Sequence, residues 1–384
     1  MQTRALLSAM RQLAYEKGIP LEKLIEILSD SISKSFKKKY KVTPNVKIEI
    51  EKDDLKILIE KEVVKTIIDG NPLQISLREA HKKYGKEVKE GEKIFVEAND
   101  KDFSRSEALA AKQLLAQKIK ELEYHAAYEE ISQNLKSVYT GTIRKRDEKG
   151  NVWVEFEKAI GVLPLAYQVK NEPYYVNKKM SFFIMAYKED TSKTNIIAIL
   201  NRKSPMLVRK LLEKEYNEIK EGTIEIVDLV RQPGYRTKVA VRSKVPYIDP
   251  VSTILGPKNF RIQNIVNELS GERIDVIQYT DDPKIFIQRA LGNVKILSID
   301  MDFNNKIAKI VVPDEQLSIA IGKEGYNAKL TATITKWKID IKSESNVKRK
   351  VDEKQETVFE AVNLTEDYNV DEIDIKNIPS NFRK

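Results

Sequence analysis

Residues 251–265 read VSTILGPKNFRIQNI, and residues 317–331, sixty-six positions later, read LSIAIGKEGYNAKLT. In each copy apolar residues run up to a glycine, Gly256 or Gly322. Two mostly polar residues follow, Pro257-Lys258 or Lys323-Glu324, and Asn259 or Gly325, residues that tolerate a left-handed backbone, closes the loop. The spacing predicts a helix, a four-residue loop and a second helix, then a short apolar strand, Ile274-Asp275-Val276 in one copy and Ile339-Asp340-Ile341 in the other. Strand-like runs precede both copies, at 223–230 with 238–241 and at 295–301 with 307–312.

This order resembles two tandem KH domains of type II, in which a GXXG loop clamps the backbone of about four nucleotides. A bare glycine backbone lets phosphate approach closely, and the N–H groups at the start of the next helix form an anion site. The ligand implied is single-stranded RNA. Around the first loop, Gly256, Pro257, Lys258 and Asn259, stand Arg261 and, on the preceding strand, Arg236 and Lys238. Around the second, Gly322, Lys323, Glu324 and Gly325, stand Tyr326, Asn327 and Lys329. The cations would supply a salt-sensitive phosphate term, Phe260 and Tyr326 would stack on bases, and Asn327 would hydrogen-bond a base edge or the backbone.

With 384 residues the chain is expected to hold two or more domains. Lys plus Arg number 67 against 58 Asp plus Glu, and the surplus is uneven. Residues 351–384 hold nine acids and four bases, so the preceding 350 residues carry +14. A basic body with an acidic tail suggests a polyanionic partner, although a Lys-biased soluble protein has the same balance. The absence of cysteine excludes a disulfide framework, a CxxC zinc site and a thiol nucleophile. With no run of eighteen apolar residues and no apolar signal core, the expectation is a cytoplasmic protein with no membrane part.

The first segment opens with two amphipathic helices, Leu6, Met10 and Leu13 on one, Leu21, Leu24, Leu28, Ile32 and Phe36 on the other. Three strands are expected at 46–50, 55–59 and 63–68, the first two forming a hairpin about Asp53-Asp54, with another at 94–96. Ser104-x-x-Glu107 is a capping box for a long helix through Leu114, Ile119 and Leu122 towards Leu135. From Tyr139 the period becomes two, and about five short strands with glycine-bearing turns suit an OB-type β-barrel, a fold that often binds oligonucleotides; an SH3-like or other small barrel fits the same run. Trp153, between Val152 and Val154, should point outward, to stack a base or to cover a domain interface. A helix over 205–221 leads into the repeats, and beyond about Glu344 the pattern dissolves.

Catalytic signals are sparse. His81 and His125 lie in charged helices and read as surface residues. No P-loop occurs, since Gly322-Lys323 has neither the preceding loop nor the following hydroxyl. The acid pairs Asp53-Asp54, Asp281-Asp282 and Asp300-x-Asp302 read as solvated turns rather than a metal site. The pattern calls for no cofactor, no metal and no catalytic residue.

Residues 232–241, QPGYRTKVAV, with Asp249-Pro250-Val251, Ile265-Val266-Asn267-Glu268-Leu269 and 320–327, AIGKEGYN, closely resemble the bacterial NusA family. The resemblance implies an α+β multidomain chain: an N-terminal RNA-polymerase-binding α/β domain with a long connecting helix (1–136), an OB-type barrel of the ribosomal S-one kind (137–201), two KH domains (202–277 and 278–345) and an acidic, disordered tail (346–384). The implied function is a transcription elongation, termination and antitermination factor. Its implied partners are RNA polymerase core, nascent single-stranded RNA and other antitermination factors, and a monomer is expected when free. The alternative is an RNA-binding factor of translation or ribosome assembly. Asn259 stands where the family has a second glycine, which makes first-loop contacts less secure than second-loop ones, and regulation by additional acidic C-terminal repeats is not expected.

Overall fold

The computed structural model describes residues 3–17, 19–51, 54–68, 71–98, 105–190, 195–349 and 358–359. The chain divides into two compact units, 1–123 and 124–384.

In the first unit, helices α1 (Thr3–Lys17) and α2 (Leu21–Tyr40) are followed by strands β1 (Val46–Glu51) and β2 (Asp54–Val64). Leu7 and Met10 join the α2 stripe of Leu24, Ile27, Leu28, Ile32 and Phe36 in a core with Val46, Leu55, Ile57 and Ile59. The side chains of Leu6 and Leu13 lie outside the described residues. β1 and β2 form the expected antiparallel hairpin, Val46 opposite Ile59. The strand expected over 63–68 is not separate, because β2 runs on through Val64. Next come β3 (Gln74–Ser76) and α3 (Leu77–Tyr84), neither of which the periodicity announced, and then β4 (Lys93–Glu97). Ser76 caps α3 by accepting from the Glu79 N–H at 3.3 Å, a local signal at the start of a helix of only eight residues. His81 Nε2 lies 2.9 Å from the Val88 carbonyl. The long helix α4 (Arg105–Gln133) follows, and its expected cap at Ser104 and Glu107, with the Leu114 side chain, falls outside the described residues.

The second unit begins with the last turns of α4, whose Tyr124, Ala127 and Ile131 pack on a closed barrel. Its strands β5 (Val138–Arg146), β6 (Val152–Glu155), β7 (Ile160–Leu163), β8 (Lys179–Glu189) and β9 (Ile196–Asn201) close in the order β5-β6-β7-β9-β8. Five strands in this crossed order, with β9 between β7 and β8, make the barrel OB-like.

Two copies of one αββααβ unit follow. The first comprises α5 (Pro205–Glu215), α6 (Asn217–Lys220), β10 (Ile224–Gln232), β11 (Arg236–Ser243), α7 (Pro250–Leu255), α8 (Phe260–Glu268) and β12 (Arg273–Gln278). The single helix expected over 205–221 is broken at Tyr216, whose φ/ψ of −113/112 is extended and whose buried hydroxyl donates to the Ile254 carbonyl at 2.8 Å. The second comprises α9 (Pro283–Leu291), β13 (Ser298–Asp302), β14 (Ile307–Val312), α10 (Asp314–Ile321), α11 (Tyr326–Thr335) and β15 (Lys338–Ser343). Helix α9 went unforeseen, although Asp282-Pro283 is a cap followed by a first-turn proline, and Asp282 accepts the Lys284 N–H at 2.8 Å. In each sheet an antiparallel hairpin is joined by a parallel third strand. This is the type II KH arrangement. The chain continues as α12 (Glu344–Arg349), and β16 (Val358–Phe359) pairs antiparallel with β15, so ordered structure enters the stretch read as tail.

Apolar seams join the modules. Val138 and Phe183 of the barrel enter the core made by Leu207, Val208, Leu211 and Leu212 of α5. Val230, Ala240 and Ile277, on the outer face of the first KH sheet, pack with Phe286, Ala290, Leu330 and Ile334 from α9 and α11 of the second. Full burial of each large side chain stabilises by about 1.5–3 kcal/mol. Two guanidinium groups are wholly buried, Arg202 between barrel and first KH domain and Arg231 within the latter. Arg202 donates to Glu172 at 2.8 Å and to the Glu268 carboxylate at 3.2 Å. Arg231 forms a two-pronged pair with Glu272, 2.9 Å on each side, and donates to the carbonyls of Arg202 and Ser204. Glu272 also accepts from Thr237 at 2.6 Å and the Gly234 N–H at 2.7 Å.

Removing one partner of such a pair strands a buried charge. Glu272→Ala is expected to cost about 3–5 kcal/mol in urea unfolding, whereas Glu225→Ala, which breaks the exposed pair with Arg242, should cost under about 1 kcal/mol.

Candidate nucleic-acid interface

The two four-residue loops have one backbone. In the first, φ is +69° at Gly256, +51° at Lys258 and +61° at Asn259; in the second it is +74° at Gly322, +55° at Glu324 and +72° at Gly325. Asn259 therefore occupies the left-handed conformation that the second copy gives to glycine, as asparagine does more readily than other side chains. The open glycine is required in both. A Cβ on Gly256 would lie 2.6 Å from Arg261 Cγ, and one on Gly322 would lie 2.8 Å from Asn327 Cβ.

Those two neighbours occupy equivalent positions and tie the loop to the end of the preceding helix. Arg261 donates to the Thr253 carbonyl at 2.9 Å, and Asn327 donates to the Ala320 carbonyl at 3.0 Å and the Ile319 carbonyl at 3.4 Å. Helix C-termini leave carbonyls without partners, and here a side chain from the next helix reaches back to them. Arg261 is further held by Glu218 at 2.8 Å and lies over the Tyr216 ring at 4.7 Å; the guanidinium holds the Glu218 carboxyl below the usual carboxylate range. Neither Glu218 nor Tyr216 was foreseen, since partners some forty residues away leave no local sequence signal.

Several expected contacts are placed elsewhere. Trp153 is only 3% exposed, not outward, with its indole N–H on Asp147 at 3.1 Å. Val152, Trp153 and Val154 all belong to one apolar cluster, so both faces of β6 are covered and alternation cannot separate inside from outside. Lys238 is buried under the second KH domain, donating to Asp275 at 3.1 Å and the Ala290 carbonyl at 2.6 Å; burial pushes its pKa down. Asn327 is buried in the tether just described. Arg236 is half-buried, 3.3 Å from Asn327 and 3.6 Å from Asp275.

Pro257, Lys258, Asn259, Lys323 and Glu324 are exposed, whereas Gly325 is buried and Tyr326 half-buried. The difference arises from the turn between β10 and β11, where Tyr235 meets the Tyr326 ring at 5.2 Å. Lys329 stands 5.9 Å from the Tyr326 ring centre, and the Tyr326 hydroxyl donates to Glu324 at 2.6 Å. Of the acid pairs, Asp302 accepts from the backbone of Asn304 and Asn305 and Asp282 caps α9, while Asp53 lies outside the described residues.

In denaturant titration, Asn259→Gly should leave stability within about 0.5 kcal/mol, while Asn259→Val, placing a branched side chain at positive φ, should cost about 1–2 kcal/mol.

Similarity to known proteins follows the same lines. The NusA N-terminal domain family matches residues 5–125, the NusA-like first KH domain family residues 202–279, and the NusA-like second KH domain family residues 283–349. The transcription termination/antitermination protein NusA of Halalkalibacterium halodurans is 35% identical over 88% of this chain and 88% of its own length. The protein of the same name from Bacillus subtilis is 34% identical over 92% and 96%, and that from Thermus thermophilus 32% identical over 88% and 89%. The chain belongs to the NusA family.

Proposed function

We propose that this chain is a non-catalytic transcription factor of the cytoplasm. It binds RNA polymerase core through the domain at 1–136 and holds nascent single-stranded RNA on the barrel (137–201) and the KH domains (202–277, 278–345), thereby modulating pausing, intrinsic termination and antitermination. The observation that carries the RNA half is the shared positive-φ backbone of two exposed loops in tandem KH folds, the geometry that clamps a sugar-phosphate chain. Family membership supports the transcriptional half, and the matched N-terminal domain favours it over a role in translation or ribosome assembly. Lys258 and Lys323 supply the phosphate term. Tethering to polymerase raises the local concentration of transcript, so modest intrinsic affinity suffices. Delayed escape of RNA from the exit region alters polymerase dwell time with no chemical step.

The test is in vitro transcription through a hairpin-dependent pause, with the protein and with Lys258→Glu/Lys323→Glu. Wild type should change the pause half-life and the double variant should lose most of that change; retention in full would remove the loops from the mechanism. RNA affinity should fall with log salt with a slope of roughly −4 to −6, for six to eight phosphates at about −0.7 each. Failure to retain core polymerase on the immobilised protein at low salt would overturn the polymerase assignment.

A further inference from the structure

The two loops differ in the aromatic residue that follows them. Tyr326 is taken up by its contact with Tyr235 and by Glu324. Phe260, at the equivalent position after Asn259, is 76% exposed and makes no ring contact among the described residues. This ring projects from the first residue of α8, beside a loop whose only charge is Lys258. The second loop instead carries Glu324 beside Lys323 and is partly covered by the first KH domain.

We infer that Phe260 is a stacking platform for one unpaired nucleobase, making the first KH loop the place where the transcript's bases are engaged and leaving the second to hold backbone. The inference rests on the RNA-binding reading above and deepens it. A phenyl ring offers every base a π-face, so the site takes any base and discriminates against a missing one. Asn259 is compatible with this, because its left-handed conformation reproduces the second loop's backbone and the residue is exposed. This assignment runs against the ranking expected from sequence, in which the glycine-closed second loop is the firmer RNA contact. The cause is tertiary, since the turn carrying Tyr235 covers one aromatic and leaves its twin open.

The experiment measures binding of the full chain to a short single-stranded oligoribonucleotide and to versions with the same phosphates but one abasic position moved along it. Wild type should weaken about tenfold at one abasic position, the effect of one lost stack. Phe260→Ala should weaken about tenfold on the intact oligonucleotide and lose nothing more at that position, with an unchanged salt slope. Phe260→Trp should restore affinity, and its exposed indole should be quenched by the intact oligonucleotide but not by the abasic one, against the buried Trp153 and Trp337. Salt-dependent binding by wild type with equal affinity for Phe260→Ala overturns the stacking site alone. A wild-type chain that binds no RNA overturns the RNA-binding reading and this inference together.

Discussion

Two buried guanidinium groups set the frame of the second unit. Arg202 lies between the barrel and the first KH domain and Arg231 just inside the latter, and their charges are tolerable there only because Glu172 and Glu268 meet the first and Glu272 the second with hydrogen bonds. Such pairs contribute little net stability compared with apolar substitutes, because desolvation offsets much of the attraction. Their contribution is to orientation. An apolar seam between Phe183 and α5 would tolerate sliding, whereas Arg202, holding Glu172 of the barrel and Glu268 of α8 at once, accepts one docking. Glu272 also takes the Gly234 N–H, which fixes the turn that carries Tyr235 against the second loop. The covering of the second loop thus traces back to a carboxylate that does not touch it.

The two KH units are built alike and used unequally. Each pairs a lysine with an aspartate across a parallel strand pair, Lys238 with Asp275 and Lys309 with Asp340. In the first unit Val230, Ala240 and Ile277 surround that pair with apolar surface and the second unit's helices cover it. In the second, Asp300 stands opposite an exposed Lys309.

The loops were legible because glycine and asparagine mark positive φ wherever they are forced into it, and a repeat at fixed spacing gives the mark twice. The barrel was legible from its period of two, though only the order of its strands distinguished OB-like from other small barrels. What could not be read were the roles of side chains whose partners come from another module. Lys238 looks like any strand lysine until the second KH domain covers it, and Asn327 looks like a base reader until three carbonyls converge on its amide. Trp153 misled for a different reason, because alternation locates an exposed face only where one face is wet. Helix α9 was missed although its Asp-Pro start was visible, the search for a period having passed over a nine-residue segment.

The continuous cores from barrel to second KH domain have a geometric consequence for any strand held along them. Modules joined by flexible linkers would let their grips drift apart or together as a transcript folds; here the separation between grips is set by packed side chains. A ribonucleotide stretch spanning them would have a prescribed contour, kept single-stranded along its length. Base-paired stems would have to nucleate upstream or downstream of that window, and the fold would act as a ruler for where secondary structure in the RNA begins.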